Sequence, residues 1–150
     1  MSTLHILWGS QSGNAQNLAN VIGNSLEDEF QVEVHDMGAL SPEMISSIST
    51  LLLVTSTYGD GEAPDNASEW YSFLKFGEEL NLSHLSYAVI GLGDTYYPHF
   101  CQASKDFDEF LSKHGARSLI NRLDCDLYYE EQYPEWVEEL KSVLKVDFPV

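Results

Sequence analysis

Positive charge is scarce in this chain and absent from its first 74 residues. Seven Lys and Arg stand against 24 Asp and Glu in 150 residues, a formal net charge of −17, and none of the seven precedes Lys75. Nucleic acid and anionic membrane both require a basic footprint, so neither is expected as a partner. Acidity of this size keeps a chain dissolved and speeds its encounter with a basic protein. Cysteine is scarce too: Cys101 and Cys125 are the only two and have no CxxC spacing, which excludes a disulfide framework and suits a reducing compartment. The five histidines are scattered and none sits at ligand spacing from a cysteine, so no metal site is expected. No apolar run approaches the roughly 20 residues of a membrane span. Met1-Ser2-Thr3-Leu4-His5 lacks the basic flank of a signal peptide. Repeats, linkers and low-complexity segments are also missing. A single domain over residues 1–150, soluble and cytoplasmic, is the expectation.

What is present alternates between two periodicities. Leu4-His5-Ile6-Leu7-Trp8 reads as a buried strand closed by Gly9. Ala15 to Phe30 follows as a helix, with Ala15, Leu18, Ala19, Ile22 and Leu26 at steps of three and four. Gln31 to His35 alternates as a second strand, and Ser41-Pro42 opens a short helix. Leu51 to Thr55 is a continuous apolar run, the pattern of a strand covered on both faces. A helix over Asn66 to Leu80, a strand over Tyr87 to Ile90 and a helix over Phe100 to His114 follow. A weaker strand spans Ser118 to Leu123, and Pro134 is expected in the first turn of a last helix. Strands and helices in this order require a parallel sheet with helices on both faces, whose ligand lies beyond the carboxyl ends of the strands.

Three short loops fall at those ends. Ser10-Gln11-Ser12-Gly13-Asn14-Ala15 offers hydroxyls and a flexible backbone just before a helix N-terminus, which suits a phosphate. A plain helix cap at Ser12 or Asn14 reads the same residues differently. The loop is neither a Walker loop, since it has no Lys, nor a GxGxxG fingerprint. Thr55-Ser56-Thr57-Tyr58-Gly59-Asp60-Gly61 and Gly91-Leu92-Gly93-Asp94-Thr95-Tyr96-Tyr97 each set an aromatic ring beside glycines. Two rings across one crevice can sandwich a planar heterocycle, although tyrosines there can also simply cover the core edge. A phosphate cradle and two aromatic walls together point to flavin mononucleotide, FMN. Asp60, Glu62, Asp65, Asp94, Asp124 and Asp126 gather at the same end and read mostly as solvated carboxylates. His99 is either a ring contact or a surface residue. Cys101, in a first helical turn, is expected to pack, with its thiol pKa lowered somewhat by the helix.

With these loops in place the chain resembles the flavodoxins, and especially the FMN domain of diflavin reductases such as the sulfite reductase flavoprotein. The likeness includes Pro98-His99-Phe100-Cys101 and runs on through Lys105-Asp106-Phe107-Asp108. It implies a three-layer α/β sandwich around a five-stranded parallel sheet of order 2-1-3-4-5, with bound FMN and one-electron transfer. Ser10, Gln11, Ser12, Gly13, Asn14 and Ala15 would then hold the ribityl phosphate. Tyr58 and Tyr97 would flank the ring, and Leu92, Gly93 and Asp94 would line its polar edge, where many relatives carry Asn at position 94. The Gly59 carbonyl would face flavin N5. Ser56, Thr57, His99, Phe100 and Cys101 complete the expected cofactor site. A diflavin reductase continues into an FAD and NADPH domain, so the expected donor is a separate NADPH-dependent reductase, with an acceptor enzyme of unknown identity. A likeness to small stand-alone flavodoxins linked to biotin synthesis in enteric bacteria suggests one acceptor class. A monomeric electron carrier without catalytic residues is the leading expectation. The alternative is an FMN-dependent quinone or nitro reductase, although no basic residue near the loops would hold a dinucleotide phosphate. A flavin-free receiver domain is disfavoured, because no acidic pair follows the first strand and no Lys follows Leu123 until Lys141.

Overall fold

The structure is a computed structural model that describes residues 3–10, 13–58 and 61–147. Strands β1 (Thr3–Gly9), β2 (Gln31–Asp36), β3 (Thr50–Ser56), β4 (Ser86–Leu92), β5 (Arg117–Ser118) and β6 (Leu123–Cys125) alternate with helices α1 (Asn14–Leu26), α2 (Ser68–Phe76), α3 (Gln102–Lys113) and α4 (Tyr129–Asp147). All pairings between the strands are parallel, in the order β2-β1-β3-β4-β5, with β6 also pairing β4. Among the described residues no helix is long and apolar enough to cross a membrane.

Side-chain alternation along the strands divides the interior into two cores. Leu4, Ile6, Leu52, Val54, Ala88 and Ile90 pack against α1 and α4 through Leu18, Ile22, Trp136 and Leu140. Leu7, Leu51, Leu53, Tyr87 and Val89 face α2 and α3 and meet Trp70, Leu74, Phe107 and Leu111. The run Leu51 to Val54 is apolar throughout because both faces of β3 are covered. Each fully buried aliphatic side chain contributes about 1.5–3 kcal/mol, so these two layers hold the sheet in place.

Polar links tie the layers together. Trp70 Nε1 donates to the carbonyls of Met37 (3.0 Å) and Leu40 (3.1 Å), which clamps α2 over the turn after β2. His114 is buried at the end of α3. Its Nδ1 accepts from Leu80 N at 3.1 Å and its Nε2 donates to Leu74 O at 2.8 Å, joining α3 to the end of α2. The Tyr87 hydroxyl donates to Asp108 Oδ1 at 2.6 Å, and burial with this carboxylate pushes the phenol pKa up.

Several boundaries differ from the sequence expectation. The strand expected over Ser118 to Leu123 is two segments, β5 and β6, with residues 119–122 outside the ladder. Arg122 explains the break: its guanidinium binds Asp108 Oδ2 at 2.6 Å and Asp124 Oδ1 at 2.9 Å. Helix α4 starts at Tyr129, so Pro134 lies inside it rather than in its first turn. Asp126 Oδ1 accepts from Tyr128 N and Gln132 Oε1 accepts from Asp126 N, which starts the helix early. The bond that Pro134 cannot donate would go to the carbonyl of Glu130, an exposed residue that water can reach. Helix α1 ends at Leu26, not Phe30. Helix α2 ends at Phe76, with Gly77 as its cap, not at Leu80. The segment opened by Pro42 is 3₁₀, as are residues Asp65–Ala67 at the start of the helix expected from Asn66. Helix α3 starts at Gln102 rather than Phe100.

The tightest joint lies between β4 and α3. A Cβ on Gly91 would stand 2.0 Å from Ser104 Oγ and 2.5 Å from Ser104 Cβ. Gly91→Ala should therefore destabilise the protein by about 1–3 kcal/mol in urea unfolding. Combining it with Ser104→Gly should recover at least about 1 kcal/mol of that loss. Strict additivity of the two changes would show that the clash is not the cause.

Candidate functional site

The strand order reverses between β1 and β3, the place where open α/β sheets bind ligands. At the carboxyl ends of the strands lies a cleft of about 530 Å³. Eleven expected residues line it: Asn14, Ser56, Thr57, Tyr58, Leu92, Gly93, Asp94, Tyr97, His99, Phe100 and Cys101. Ser10, Gly13 and Ala15 do not line it. Ala15 is fully buried in the core beneath α1. Gln11, Ser12, Gly59 and Asp60 lie outside the described residues.

The first loop leaves β1 under side-chain control. Ser10 N donates to Asn66 Oδ1 at 2.9 Å, and Asn66 Nδ2 donates to Asp36 Oδ1 at 2.8 Å. The ends of β1 and β2 and the start of α2 are thus held to one side chain. Gly13 N donates to Ser10 Oγ at 2.8 Å, and Gly13 caps α1 at φ +92°, a conformation that favours glycine. Among the described residues no side chain caps α1.

The second loop turns at Tyr58, which exchanges backbone bonds with Glu62 at 2.7 and 2.8 Å. Thr57 N donates to Leu92 O, and Thr57 Oγ1 accepts from Ala103 N at 3.0 Å, capping α3 from outside the helix. In the third loop the Asp94 carboxylate accepts from Tyr96 N, and Tyr97 N donates to Asp94 O. Tyr58 and Tyr97 line the cleft while 50% and 55% exposed. Tyr96 stands outside it, 86% exposed, edge-on to Tyr97.

Beneath the third loop, Cys101 is fully buried in the left-handed region at φ 53°. Its Sγ lies 3.5 Å from Cys125 O, the carbonyl that also accepts from Gly93 N at 2.9 Å. Ser104 Oγ lies 2.8 Å from Cys101 O and 3.2 Å from Asp124 Oδ1. The expected lowering of the Cys101 pKa is reversed. Desolvation, aided by the Asp124 charge, pushes it up to about 12, and Cys125 likewise to about 12. Burial outweighs the helix N-terminus.

Of the acidic group, Asp94 and Asp126 line the cleft, and Asp124 is engaged by Arg122 and Ser104. Leu127 and Tyr129 complete the lining, and neither is read as a site residue from sequence. Their signal is a fourth strand-to-helix turn, after Cys125, that repeats the apolar and aromatic pattern of the others. Asn66 is also missed, because a polar residue near a helix start reads only as local structure.

This is a doubly wound α/β protein with a ligand cleft walled by tyrosines at the sheet's carboxyl edge. Residues 6–138 match the family described as Flavodoxin. The chain is 43% identical over 134 residues to the sulfite reductase [NADPH] flavoprotein alpha-component of Bacillus subtilis, covering 89% of this chain and 22% of the relative. The protein of the same name from Vibrio parahaemolyticus is 42% identical with the same coverage. The chain therefore spans about a fifth of the length of these relatives. Among solved structures, a flavodoxin from Streptococcus pneumoniae TIGR4 superposes with a TM-score of 0.86 at 30% identity, over 98% of this chain and 100% of that one. Oxidised Flavodoxin 2 from Bacillus cereus gives 0.81 at 29% identity, with the same coverage. The chain belongs to the flavodoxin family, electron-transfer proteins that bind FMN.

The cleft fits that group. Ser56, which lines the cleft, has a buried Oγ with no hydrogen-bond partner among the described residues, a cost of about 1–3 kcal/mol that a ligand's polar edge would offset. A Cβ on Gly93 would press on Cys101 N and Sγ at 3.1 Å and on Phe100 at 3.2 Å, so the backbone there stays bare toward the cleft. With thiolates suppressed, the native protein should react with a disulfide reagent at pH 8 far more slowly than the unfolded chain, which should release two thiols. Equal rates would show that the thiols are open.

Proposed function

We propose that this protein carries single electrons from an NADPH-dependent flavoprotein reductase to an acceptor enzyme. The observation that carries the reading is the cleft at the sheet's carboxyl edge, with Tyr58 and Tyr97 half exposed on its walls. FMN supplies electron uptake and release in single steps when bound. The chain's residues do the rest. Tyr58 and Tyr97 would flank the ring, Ser56 would offer its hydroxyl to a polar edge, and the backbone of Leu92, Gly93 and Asp94 would lie along it. Ser10 to Ala15, ahead of α1, would hold the phosphate. Half exposure of both tyrosines leaves a ring edge within reach of a docking protein, which electron transfer requires.

The donor class is suggested by the relatives, whose name is that of an NADPH sulfite reductase flavoprotein component. The net charge of −17 supports a basic docking face on the donor. The reading takes residues 1–150 as one FMN-binding domain working as a monomer in the cytoplasm. Two buried free thiols support a reducing compartment.

Tyr58→Ala and Tyr97→Ala should each weaken FMN binding about 2- to 10-fold in a fluorescence titration, the worth of one stacking contact. Unchanged affinity in both would remove the tyrosines from the site. In anaerobic solution the FMN-loaded protein should keep its visible absorbance with NADPH alone and lose it once a flavodoxin reductase is added. That transfer should slow as ionic strength rises. Reduction by NADPH alone would favour the quinone or nitro reductase reading, and a rate independent of salt would remove electrostatic steering.

A further inference from the structure

We propose that His5, Glu33 and His35 form a binding site for a divalent cation of the zinc or copper class, on the sheet edge away from the cofactor cleft. The parallel register of β1 and β2 sets His5 opposite Glu33 and Leu7 opposite His35. Leu4, Ile6, Val32 and Val34 turn into the core under α1 and α4. Alternation then puts His5, Glu33 and His35 together on the other face. No sequence spacing announces the group, because its members come from two strands joined only by the ladder.

The geometry suits coordination. One ligand atom from each of the three residues lies within 4.8 Å of the other two. His35 Nε2 is 3.3 Å from Glu33 Oε1. Two ligands bound to tetrahedral zinc stand roughly 3.3–3.4 Å apart, given bond lengths of about 2.0–2.1 Å. The rings of His5 and His35 are stacked, with centroids 6.3 Å apart and planes 24° from parallel. Among the described residues His5 Nδ1 is buried without a hydrogen-bond partner. The His35 and Glu33 side chains are 33% and 48% exposed, so they can shift by the small distance needed and solvent can fill the remaining positions.

The donor set selects the ion. Two imidazoles and one carboxylate favour zinc, copper or nickel, whereas magnesium and calcium prefer oxygen alone. Both thiols are buried, and His114 has both ring nitrogens engaged. His84 and His99 are exposed, but among the described residues neither belongs to a group of three ligands. His5 is five residues before Ser10, about 16 Å along an extended strand at ~3.3 Å per residue, so the ion would lie beside the middle of β1 and the cofactor beyond its carboxyl end. A bound ion ties edge strand β2 to central strand β1.

Calorimetric titration of the FMN-loaded protein with zinc chloride, in excess magnesium, tests the site. One zinc per chain is expected, with affinity falling about tenfold or more in His5→Gln and in His35→Gln. Far-ultraviolet circular dichroism checks that both variants fold. Zinc should also raise the thermal unfolding midpoint of the unaltered chain and not that of the variants. Absence of zinc uptake, displacement by magnesium, or an affinity in both variants unchanged from that of the unaltered chain would overturn the proposal.

Discussion

The close approach of α3 to the end of β4 is the constraint on which the site depends. Gly91 has no room for a side chain because Ser104 occupies that space, and a Cβ on Gly93 would be tight against Cys101 at 3.1 Å. The cost is a left-handed Cys101 at the head of the helix. Its return is a third loop anchored to the sheet: Gly93 N and Cys101 Sγ share the Cys125 carbonyl, and Ser104 reaches Asp124. Arg122 extends the connection from Asp124 to Asp108 on α3. The cleft wall bearing Tyr97 thus rests on a continuous chain of contacts through β6.

Burial and charge act in opposite senses at the two ends of the molecule. At the carboxyl edge, burial suppresses the thiols, while the half-exposed tyrosines keep the cleft open to a partner. At the outer edge, β2 has no neighbour on its far side, and its Glu33 and His35 stay within reach of solvent. The strong negative charge favours cations and basic proteins at both ends without choosing between them.

Much of the site was legible because its loops are contiguous. Thr57-Tyr58 and Leu92-Gly93-Asp94 follow apolar strands directly, so strand placement located them at the cleft. The boundaries that moved did so for tertiary reasons. Asp108 and Asp124 draw Arg122 out of the expected strand, and Asp126 and Gln132 start α4 before Pro134. Asn66 and Leu127 went unread because their roles depend on neighbours far along the chain.

By itself the amino-acid order determined the alternation of strands and helices, the two covered faces of β3 and the chemistry of the loops. These follow from local periodicity and from residue types that act over a few positions. Only the tertiary structure decided that Asn66 holds the first loop, that the Cys101 thiol is raised rather than lowered, and that His5 meets Glu33 and His35. Each depends on packing between segments that are distant in sequence, where desolvation and strand register set the outcome and local pattern carries no record of either.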